Sequence, residues 1–437
     1  MLIAILISLL GQGAPGDTTD LTLAAARQRA LGANPALRAE RANARAAAAG
    51  PREASRGFLP TLSADAQAVR STDPVAVFGM KLRQSAFTAG DLSLGALNDP
   101  APYTDYTARV GVELPLLNLE GWYGYAAAGR AASAQAAAAR RAAGATILAV
   151  SRAYWDAQLA AGRVAALDTA LGAALAHATQ AEALHQQGLV SGLDARLARL
   201  RAARIESQRL AVAAEADNAL AALAALLALP DSTTLRLTDS LETALLDDSL
   251  VAAVHGQRGD LAALEQGVRA ADLGVRRAWA MNLPSIALFG NLAQHGRAGF
   301  TSGGAGGGDW TVGVGLQWRF FPGLAGAGAI ARARAERDAV QARREAAGRQ
   351  ARLEITQSER LHTAAVRRMM VARDARTEAA VALDQAELRY RTGAATISEL
   401  LDVQAALTDA QLDLLAARHD VLVAGALLDF ANGVFDQ

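Results

Sequence analysis

The feature that most constrains this chain is an alanine-rich stretch without proline from about Gly121 to Gln187, roughly 67 residues long. Alanine is the best helix former and proline the strongest helix breaker, so the stretch predicts one continuous helix. At 1.5 Å per residue such a helix would be about 100 Å long, whereas helices of globular proteins average about 10–14 residues. A helix of this length needs other long helices to cover its apolar side.

A second pattern has the period of a β-strand. From Trp310 to Phe320, alternate residues form one apolar face, made of Trp310, Val312, Val314, Leu316, Trp318 and Phe320. Roughly 9–11 tilted residues span a bilayer as a strand, and aromatic residues at both ends fit the girdles of a membrane barrel. Taken alone, the segment fits equally well an edge strand of a soluble sandwich and a membrane strand.

Both patterns occur twice, in an internal repeat of about 200 residues. Leu59-Pro60-Thr61-Leu62 matches Leu283-Pro284-Ser285-Ile286, and Val110-Gly111-Val112 matches Val312-Gly313-Val314. Repeat 1 (17–232) is predicted to have strands at about 58–70 and 106–117 and helices at about 121–187 and 192–229. Repeat 2 (233–437) is predicted to have strands at about 285–295 and 310–321 and helices at about 323–391 and 396–432. The stretch from 71 to about 105 reads as irregular.

Composition narrows the classes of function. Lys+Arg and Asp+Glu number 43 each and there is no cysteine, which argues against a nucleic-acid partner and excludes disulfides and thiolate sites. The six histidines lack metal-ligand spacing, so no metal or cofactor is expected. Residues 1–16, an apolar run followed by small residues, resemble a secretory signal peptide. Beyond them no charge-free apolar run of about 18 residues predicts a transmembrane helix.

Four amphipathic strands cannot close a barrel, since the smallest membrane barrels have about eight. An open edge in lipid would leave backbone groups unsatisfied. If these strands enter a membrane, several copies must therefore share one barrel, and a homotrimer would supply twelve strands. The apolar faces would contact lipid. The polar faces would line a water-filled pore, with the lumen-facing residues Arg109, Glu113, Gln317 and Arg319.

Two turns between helices carry the most specific motifs. They are Gln-Gly-Leu-Val-Ser-Gly-Leu-Asp at 187–194 and Tyr-Arg-Thr-Gly-Ala-Ala-Thr-Ile-Ser-Glu-Leu-Leu-Asp at 390–402. With the repeat around them, the chain from about 20 to 433 resembles the TolC family of outer-membrane efflux and secretion channels. The resemblance implies a mainly α fold with a β-barrel part, in which a trimer forms a 12-stranded outer-membrane barrel joined to a 12-helix periplasmic α-barrel. It also implies a periplasmic adaptor (membrane fusion) protein and an inner-membrane pump of RND or ABC type as partners.

The same resemblance implies roles for the turns, which would form the periplasmic tip. Glu399 and Asp402 fall where the family has its constriction acids, and Asp194 and Tyr390 fall where it has a hydrogen-bonded pair restraining the closed tip. Ala395 stands where the family often has arginine, so part of the polar latch would be missing and the closed state weaker. Adaptor contacts are implied for the turn residues Gly188, Leu189, Val190, Gly393 and Ala394.

Both turns also have a simpler interpretation as helix ends. Thr396 to Glu399 reads as a capping box and Ser191 to Asp194 nearly as one, and the glycine ahead of each ends the preceding helix. Capping and gating are compatible roles. Asp402 lies one turn further into its helix, where a cap explains it less well, so it is the stronger gating candidate.

The sequence therefore predicts a passive export conduit in the outer membrane, extending into the periplasm, with no enzymatic activity. The alternative is a periplasmic coiled-coil structural or adaptor protein that is not inserted. A heptad seam supports either one: Leu400, Val403, Leu407, Ala410, Leu414, Ala417, Val421, Ala424 and Leu428. Four bilayer-length strands with aromatic ends favour the conduit.

Overall fold

A computed structural model describes residues 18–230, 233–246, 256–300 and 307–436, so the predicted signal segment 1–16 lies outside the described residues. The helices of eight or more residues are α1 (Leu23–Ala33), α2 (Pro35–Ala54), α3 (Pro74–Arg83), α5 (Leu119–Gln186), α6 (Gly192–Leu226), α7 (Gly259–Ala280), α8 (Ala325–Arg391) and α9 (Ile397–Ala431), with the short α4 (Leu94–Asn98) between α3 and α5. The strands are β1 (Thr18–Leu21), β2 (Thr61–Ser71), β3 (Tyr103–Leu117), β4 (Thr234–Leu237), β5 (Ser285–Gly296) and β6 (Gly308–Gln317).

These helices and strands are divided between two compact units. Unit 1 comprises the described residues of Met1–Asn43, Ala136–Ala263 and Glu345–Gln437, and unit 2 comprises Ala44–Gln135 and Leu264–Arg344. The two units interrupt each other along the chain, because the long helices pass from one into the other. The division therefore does not follow the boundary between the sequence repeats.

Local signals explain where the two longest helices begin and end. Helix α5 has 68 residues and starts where the Asn118 side chain accepts a hydrogen bond from the Gly121 amide at 2.9 Å. Helix α8 has 67 residues and follows Gly323, whose φ is +67°. By length and composition α5 could also cross a membrane. A core helix of a soluble protein passes the same criteria.

The four strands of unit 2 form one antiparallel sheet in the order β2-β3-β5-β6. Residues in register lie on the same face, so Asp65, Arg109, Ala293 and Asp309 share one row of a polar face. The next row, Ala64, Val110, Leu292 and Trp310, belongs to the opposite, apolar face. On that face Val312, Val314 and Leu316 are 62–67% exposed. The sheet thus leaves an apolar surface uncovered in the protomer.

Strand β6 is shorter than the alternation predicts. The sequence places it at about 310–321, but it ends at Gln317, which pairs with Ser285, the first residue of β5. Pro284 precedes Ser285 and has no N–H to donate, so the ladder has no further partner. Trp318, Arg319 and Phe320 therefore lie beyond the strand, so the sheet itself does not position Arg319, and its place in the lumen stays a prediction.

The segment between β2 and β3, predicted to be irregular, contains α3 and α4. Asp73 caps α3 by accepting a hydrogen bond from the Ala76 amide at 2.7 Å. Pro74 occupies the first helical position, where its missing N–H costs nothing. Pro74 is thus part of a helix start.

Unit 1 has its main core around Tyr154, which is fully buried. The Tyr154 hydroxyl donates to the Leu21 carbonyl oxygen at 2.9 Å and accepts from the Asp239 amide at 3.1 Å. Leu21 ends β1, which pairs in parallel with β4. Sequence patterns missed this two-stranded sheet, because strands of four residues are too short to show a period.

Helix α9 follows the predicted seam over its second half, where Leu414, Ala417, Val421 and Ala424 are all buried. Nearer its start the seam residue Leu400 is also buried, but the next three seam positions are only half-buried. Leu401, Gln404 and Thr408, on a neighbouring stripe, are buried there. The residues of that stripe are spaced by three and four, so between Leu400 and Leu414 the buried side of α9 lies beside the predicted seam.

Candidate gating turns and polar strand face

The two helix–helix turns have the same backbone. In the first turn (187–191) the Gly188 amide donates to the His185 carbonyl and the Leu189 amide to the Leu184 carbonyl, both at 2.9 Å. In the second turn (392–396) the corresponding bonds, from Gly393 to Tyr390 and from Ala394 to Arg389, measure 3.0 and 2.8 Å. Gly188 and Gly393 have φ values of +74° and +76°. This is the Schellman ending, which explains a glycine at each position.

The side chains of the first turn satisfy one another. The Asp194 carboxylate accepts from the Ser191 amide at 3.1 Å and from its hydroxyl at 2.9 Å, while the Ser191 hydroxyl oxygen accepts from the Asp194 amide at 3.2 Å. This is a complete capping box. His185 lies 3.2 Å through Nδ1 from the Val190 carbonyl oxygen and braces the turn. From the sequence, His185 was considered only as one of six histidines without metal-ligand spacing.

The second turn is capped from one side only. The Thr396 hydroxyl accepts from the Glu399 amide at 3.2 Å, but the Glu399 carboxylate makes no return bond among the described residues. The sequence predicted a complete capping box at Thr396–Glu399 and a nearly complete one at Ser191–Asp194. The structure shows the reverse. Glu399 and Asp402 are both exposed, and within the described ranges neither carboxylate has a hydrogen bond or an ion pair.

Asp194 and Tyr390 are brought near each other but are not hydrogen bonded. Burial raises the pKa of the Tyr390 hydroxyl, and the negative charge of Asp194 raises it further. That hydroxyl is buried without a hydrogen-bond partner in the part of the chain that the structure describes. Asp194 instead bonds within its own cap. The hydrogen bond predicted between them is absent from the described protomer.

The residues predicted to contact an adaptor lie on the surface of the turns. Gly188, Leu189, Gly393 and Ala394 are exposed and Val190 is half-buried, with Leu189 at 69% exposure. Ala395, also half-buried, offers no polar side chain. Arg389 donates to the Ala394 carbonyl oxygen at 3.1 Å and braces the turn, a role that sequence reasoning did not assign.

The polar face of the sheet carries three of the four predicted lumen residues. Arg109 lies 4.0 Å from Asp65 on the neighbouring strand, and both side chains are about half exposed. Glu113 pairs in register with Thr61 and Phe289, and Gln317 with Ser285. Phe289 lies over Gly313, where an added Cβ would come within 2.8 Å of the ring. An aromatic ring thus interrupts the polar surface.

Two histidines bridge carboxylates, and the sequence analysis passed over both. His295 Nδ1 lies 2.9 Å from Asp105, and its Nε2 lies 3.3 Å from Asp309. His419 Nε2 lies 2.7 Å from Asp156, and its Nδ1 lies 3.3 Å from Asp420. The adjacency of His419 and Asp420 was a visible signal, whereas the other partners are distant in sequence. Across the described ranges, no group of histidine and carboxylate side chains is arranged to hold a metal ion.

The sequence matches the profile of one protein family, described as outer membrane efflux protein, over residues 26–229 and 250–434. The match covers both repeats and both turns. Among curated proteins, a sequence search finds no match.

Solved structures of bacterial membrane proteins share the fold. A membrane protein from Pseudomonas aeruginosa is 22% identical, with a TM-score of 0.79 over 94% of this chain and 92% of the other. The outer membrane protein VceC from Vibrio cholerae is 20% identical, with a TM-score of 0.75 over 94% and 96%. The open state of the Neisseria gonorrhoeae MtrE outer membrane channel is 19% identical, with a TM-score of 0.73 over 94% and 88%.

Proposed function

Because this chain belongs to the outer membrane efflux protein family, as its resemblance to TolC channels predicted, we propose that it is the outer-membrane channel of a tripartite efflux pump or type I secretion system. Proteins of this family reside in the outer membrane and extend into the periplasm. The conduit would be passive and trimeric. It would catalyse no reaction of its own, and the energy for export would come from the partner pump.

One observation carries the proposal, namely the four-stranded sheet with an exposed apolar face and an opposite polar face. Its outer strands, β2 and β6, each pair on one side only in the described protomer. Unpaired strand edges cost several kcal/mol per group in lipid, and four strands are too few to close. Three copies joined from β6 to β2 would form a closed twelve-stranded barrel with lipid outside and the polar row of Arg109 inside.

The proposed gate lies at the second turn. Three copies of Glu399 and Asp402 around one axis would concentrate negative charge at the periplasmic entrance and attract cations. Both carboxylates are free of partners within the described ranges, as a ring that acts on passing ions requires. A periplasmic adaptor would contact the exposed turns and favour the state in which the helices move apart.

The proposal is tested with purified full-length protein. Light scattering in detergent should give a trimer, and planar bilayers should show discrete, cation-preferring channels. A monomer that stays monodisperse without detergent and gives no channels would contradict the conduit and favour the uninserted coiled-coil alternative. This experiment uses the wild-type protein, so its result does not depend on whether the proposed gate is correct. Variants without the carboxylates of Glu399 and Asp402 are studied only after channels have been seen.

A further inference from the structure

The segment between β2 and β3 is a folded piece of unit 2 to which the proposed conduit assigns no role. Its helix α3 is joined to the turn that follows by an ion pair of 2.5 Å between Lys81 and Asp91. Lys81, and after it Thr88, lower the pKa of Asp91 to about 2, so this carboxylate is ionised at any ordinary pH. The ion pair therefore ties α3 to the turn around Asp91.

Helix α3 packs on the polar face of the sheet. Tyr103, Asp105 and Thr107 alternate along β3 in step with Arg109, so all four side chains lie on the face predicted to line the pore. Val77 and Met80 of α3 pack against Tyr103, and these three side chains are 2–8% exposed. Helix α3 therefore covers one end of the polar face and does not extend away from the sheet.

A buried polar network fixes α3 to three strands. Gln84, which follows α3, donates to the Asp105 carboxylate at 2.7 Å and accepts from the Tyr103 hydroxyl at 2.9 Å. The other oxygen of Asp105 accepts from the Thr107 hydroxyl at 2.9 Å and faces His295 of β5 at 2.9 Å. His295 in turn faces Asp309 of β6 at 3.3 Å. Gln84, Asp105, Thr107 and His295 are 2–7% exposed, and connected buried networks of this kind hold one arrangement.

The network lies at the end of the sheet farthest from the long helices. It involves the start of β3, the end of β5 and the start of β6, whereas α5 and α8 continue from the opposite ends of β3 and β6. Gly307, just before β6, lies so close to α3 that an added Cβ would overlap the Arg83 carbonyl oxygen. In a barrel whose helices enter the periplasm, this end opens to the cell exterior.

We infer that the β2–β3 segment folds into the barrel and narrows its outer mouth, once in each of three protomers. The inference rests on the proposed function, because the polar face lines a pore only if the barrel forms. An element packed on that face takes up part of the lumen. Helix α3 also exposes Val75 and Leu82, at 81% and 51%, and apolar constrictions disfavour the passage of ions. The channel would then have a second narrow region, distinct from the turns.

Thiol labelling tests this arrangement, because the chain contains no cysteine. Val75→Cys, on α3, is reacted with a bulky thiol reagent while single channels are recorded in planar bilayers. We expect the conductance to fall by at least about twofold, since the added group would partly fill a narrow mouth. The matched control is Leu62→Cys, equally exposed at 79% but on the apolar face, where labelling should leave the conductance unchanged.

A second variant does not depend on labelling. Gln84→Ala removes the link between α3 and the strands, so the mouth should widen and the conductance should rise, whereas Gln67→Ala, on the same polar face of β2, should not change it. Full labelling of Val75→Cys with unchanged current, or equal conductance for Gln84→Ala and the wild type, would overturn the inference. In either case the wild-type protein still conducts. If the wild type forms no channels, it is the proposed function that fails.

Discussion

The two helix–helix turns share one backbone and differ in their side-chain partners. Each ends the preceding helix with a glycine at positive φ, followed by the same pair of backbone hydrogen bonds. In the first turn Ser191 and Asp194 satisfy each other completely. In the second, Thr396 caps the helix while Glu399 keeps its carboxylate exposed. The Tyr390 hydroxyl is buried without a partner among the described residues.

The difference shows which structural requirements both copies of the turn have kept. A left-handed residue at the helix end allows little besides glycine, so both turns retain it. The capping side chains are less constrained, because several residue types can accept the same amide hydrogen bond. Near the second turn, the Glu399 carboxylate and the Tyr390 hydroxyl therefore have no hydrogen-bond partner among the described residues and can bond to another molecule. Near the first turn, Ser191 and Asp194 are already bonded to each other. If one turn responds to an adaptor, we expect it to be the second.

The largest expected effect separates the two turns by ion selectivity. In the double variant Glu399→Gln/Asp402→Asn, the proposed ring loses its charge, and the preference for cations should fall several-fold because the local potential disappears. The measurement is the reversal potential of the channel under a salt gradient. Asp194→Asn is the matched control, since this carboxylate is occupied by its cap and should leave selectivity unchanged. If Asp194→Asn shifted the reversal potential as strongly, the distinction between the turns would be lost. An unchanged potential in the double variant would leave Asp402 a surface or packing residue.

The next effect compares the caps themselves. Ser191→Ala removes a reciprocal cap and leaves Asp194 without its hydroxyl partner, which should cost about 1 kcal/mol of local stability. Thr396→Ala removes a single hydrogen bond and should cost less. Hydrogen exchange at the amides of Asp194 and Glu399 reports the two ends separately. Faster exchange at Glu399 in Thr396→Ala than at Asp194 in Ser191→Ala would contradict the assignment of the complete box to the first turn.

These turns also show how far the sequence can predict the site. Glycine followed by a capping residue predicted both turns to within a residue or two, because the signals act on adjacent positions. The sequence predicted wrongly which of the two capping boxes is complete. The capping pattern favours glutamate at the third helical position, but the box closes through the shorter Asp194. Side-chain geometry of this kind is decided by rotamers that no spacing rule contains.

The fold shows the same limit. Period-two alternation predicted the four long strands, and the absence of proline predicted the two long helices. The pairing of β1 with β4 joins residues 216 apart, such as Thr18 and Thr234, and no local pattern indicates such a partner. Nor could spacing predict the His295 network, whose carboxylates come from β3 and β6. Long-range pairings depend on packing, which local sequence patterns do not reveal.

A smaller effect is expected for Tyr390, whose substitution should leave the stability of the protein unchanged or raise it. Tyr390→Phe removes a buried hydroxyl that has no partner in the described protomer, so the trimer should keep its stability or gain up to about 1 kcal/mol. Because its pKa is raised, the hydroxyl stays protonated at neutral pH and charge plays no part in the result. Thermal unfolding in detergent measures the change.

Tyr154→Phe provides the contrast for this measurement. It leaves the Leu21 carbonyl and the Asp239 amide, both bonded to the Tyr154 hydroxyl, without that partner, and should destabilise the protein by about 1–3 kcal/mol. Destabilisation by Tyr390→Phe, or spontaneous opening of its channels, would mean that the assembled trimer supplies a partner for the hydroxyl. The polar groups of the second turn would then be no more available to an adaptor than those of the first.

The smallest expected effect concerns a difference between α6 and α9, the helices that follow the first and the second turn. Helices α6 and α9 are both 35 residues long, so His419 of α9 corresponds to Ala214 of α6. His419 joins α5 through Asp156, and Asp420 beside it pairs with Arg368 of α8 at 3.0 Å. Burial alone would lower the pKa of His419, but hydrogen bonds to Asp156 and then Asp420 outweigh it, and the pKa is raised above 6.5.

A raised pKa means that protonated His419 stabilises the folded state. This stabilisation is fully present below pH 6.5, the ordinary pKa of histidine, and is lost as the pH rises through the raised value. Melting temperatures of the trimer at increasing pH should therefore fall less in His419→Gln than in the wild type. The difference should be small, because Asp156 is 58% exposed and solvent screens its charge. His185→Gln, at the first turn, should retain the wild-type dependence, since His185 lies outside this group of charges. Parallel curves for His419→Gln and the wild type would show that the histidine only packs between the helices and that its charge does not contribute to stability.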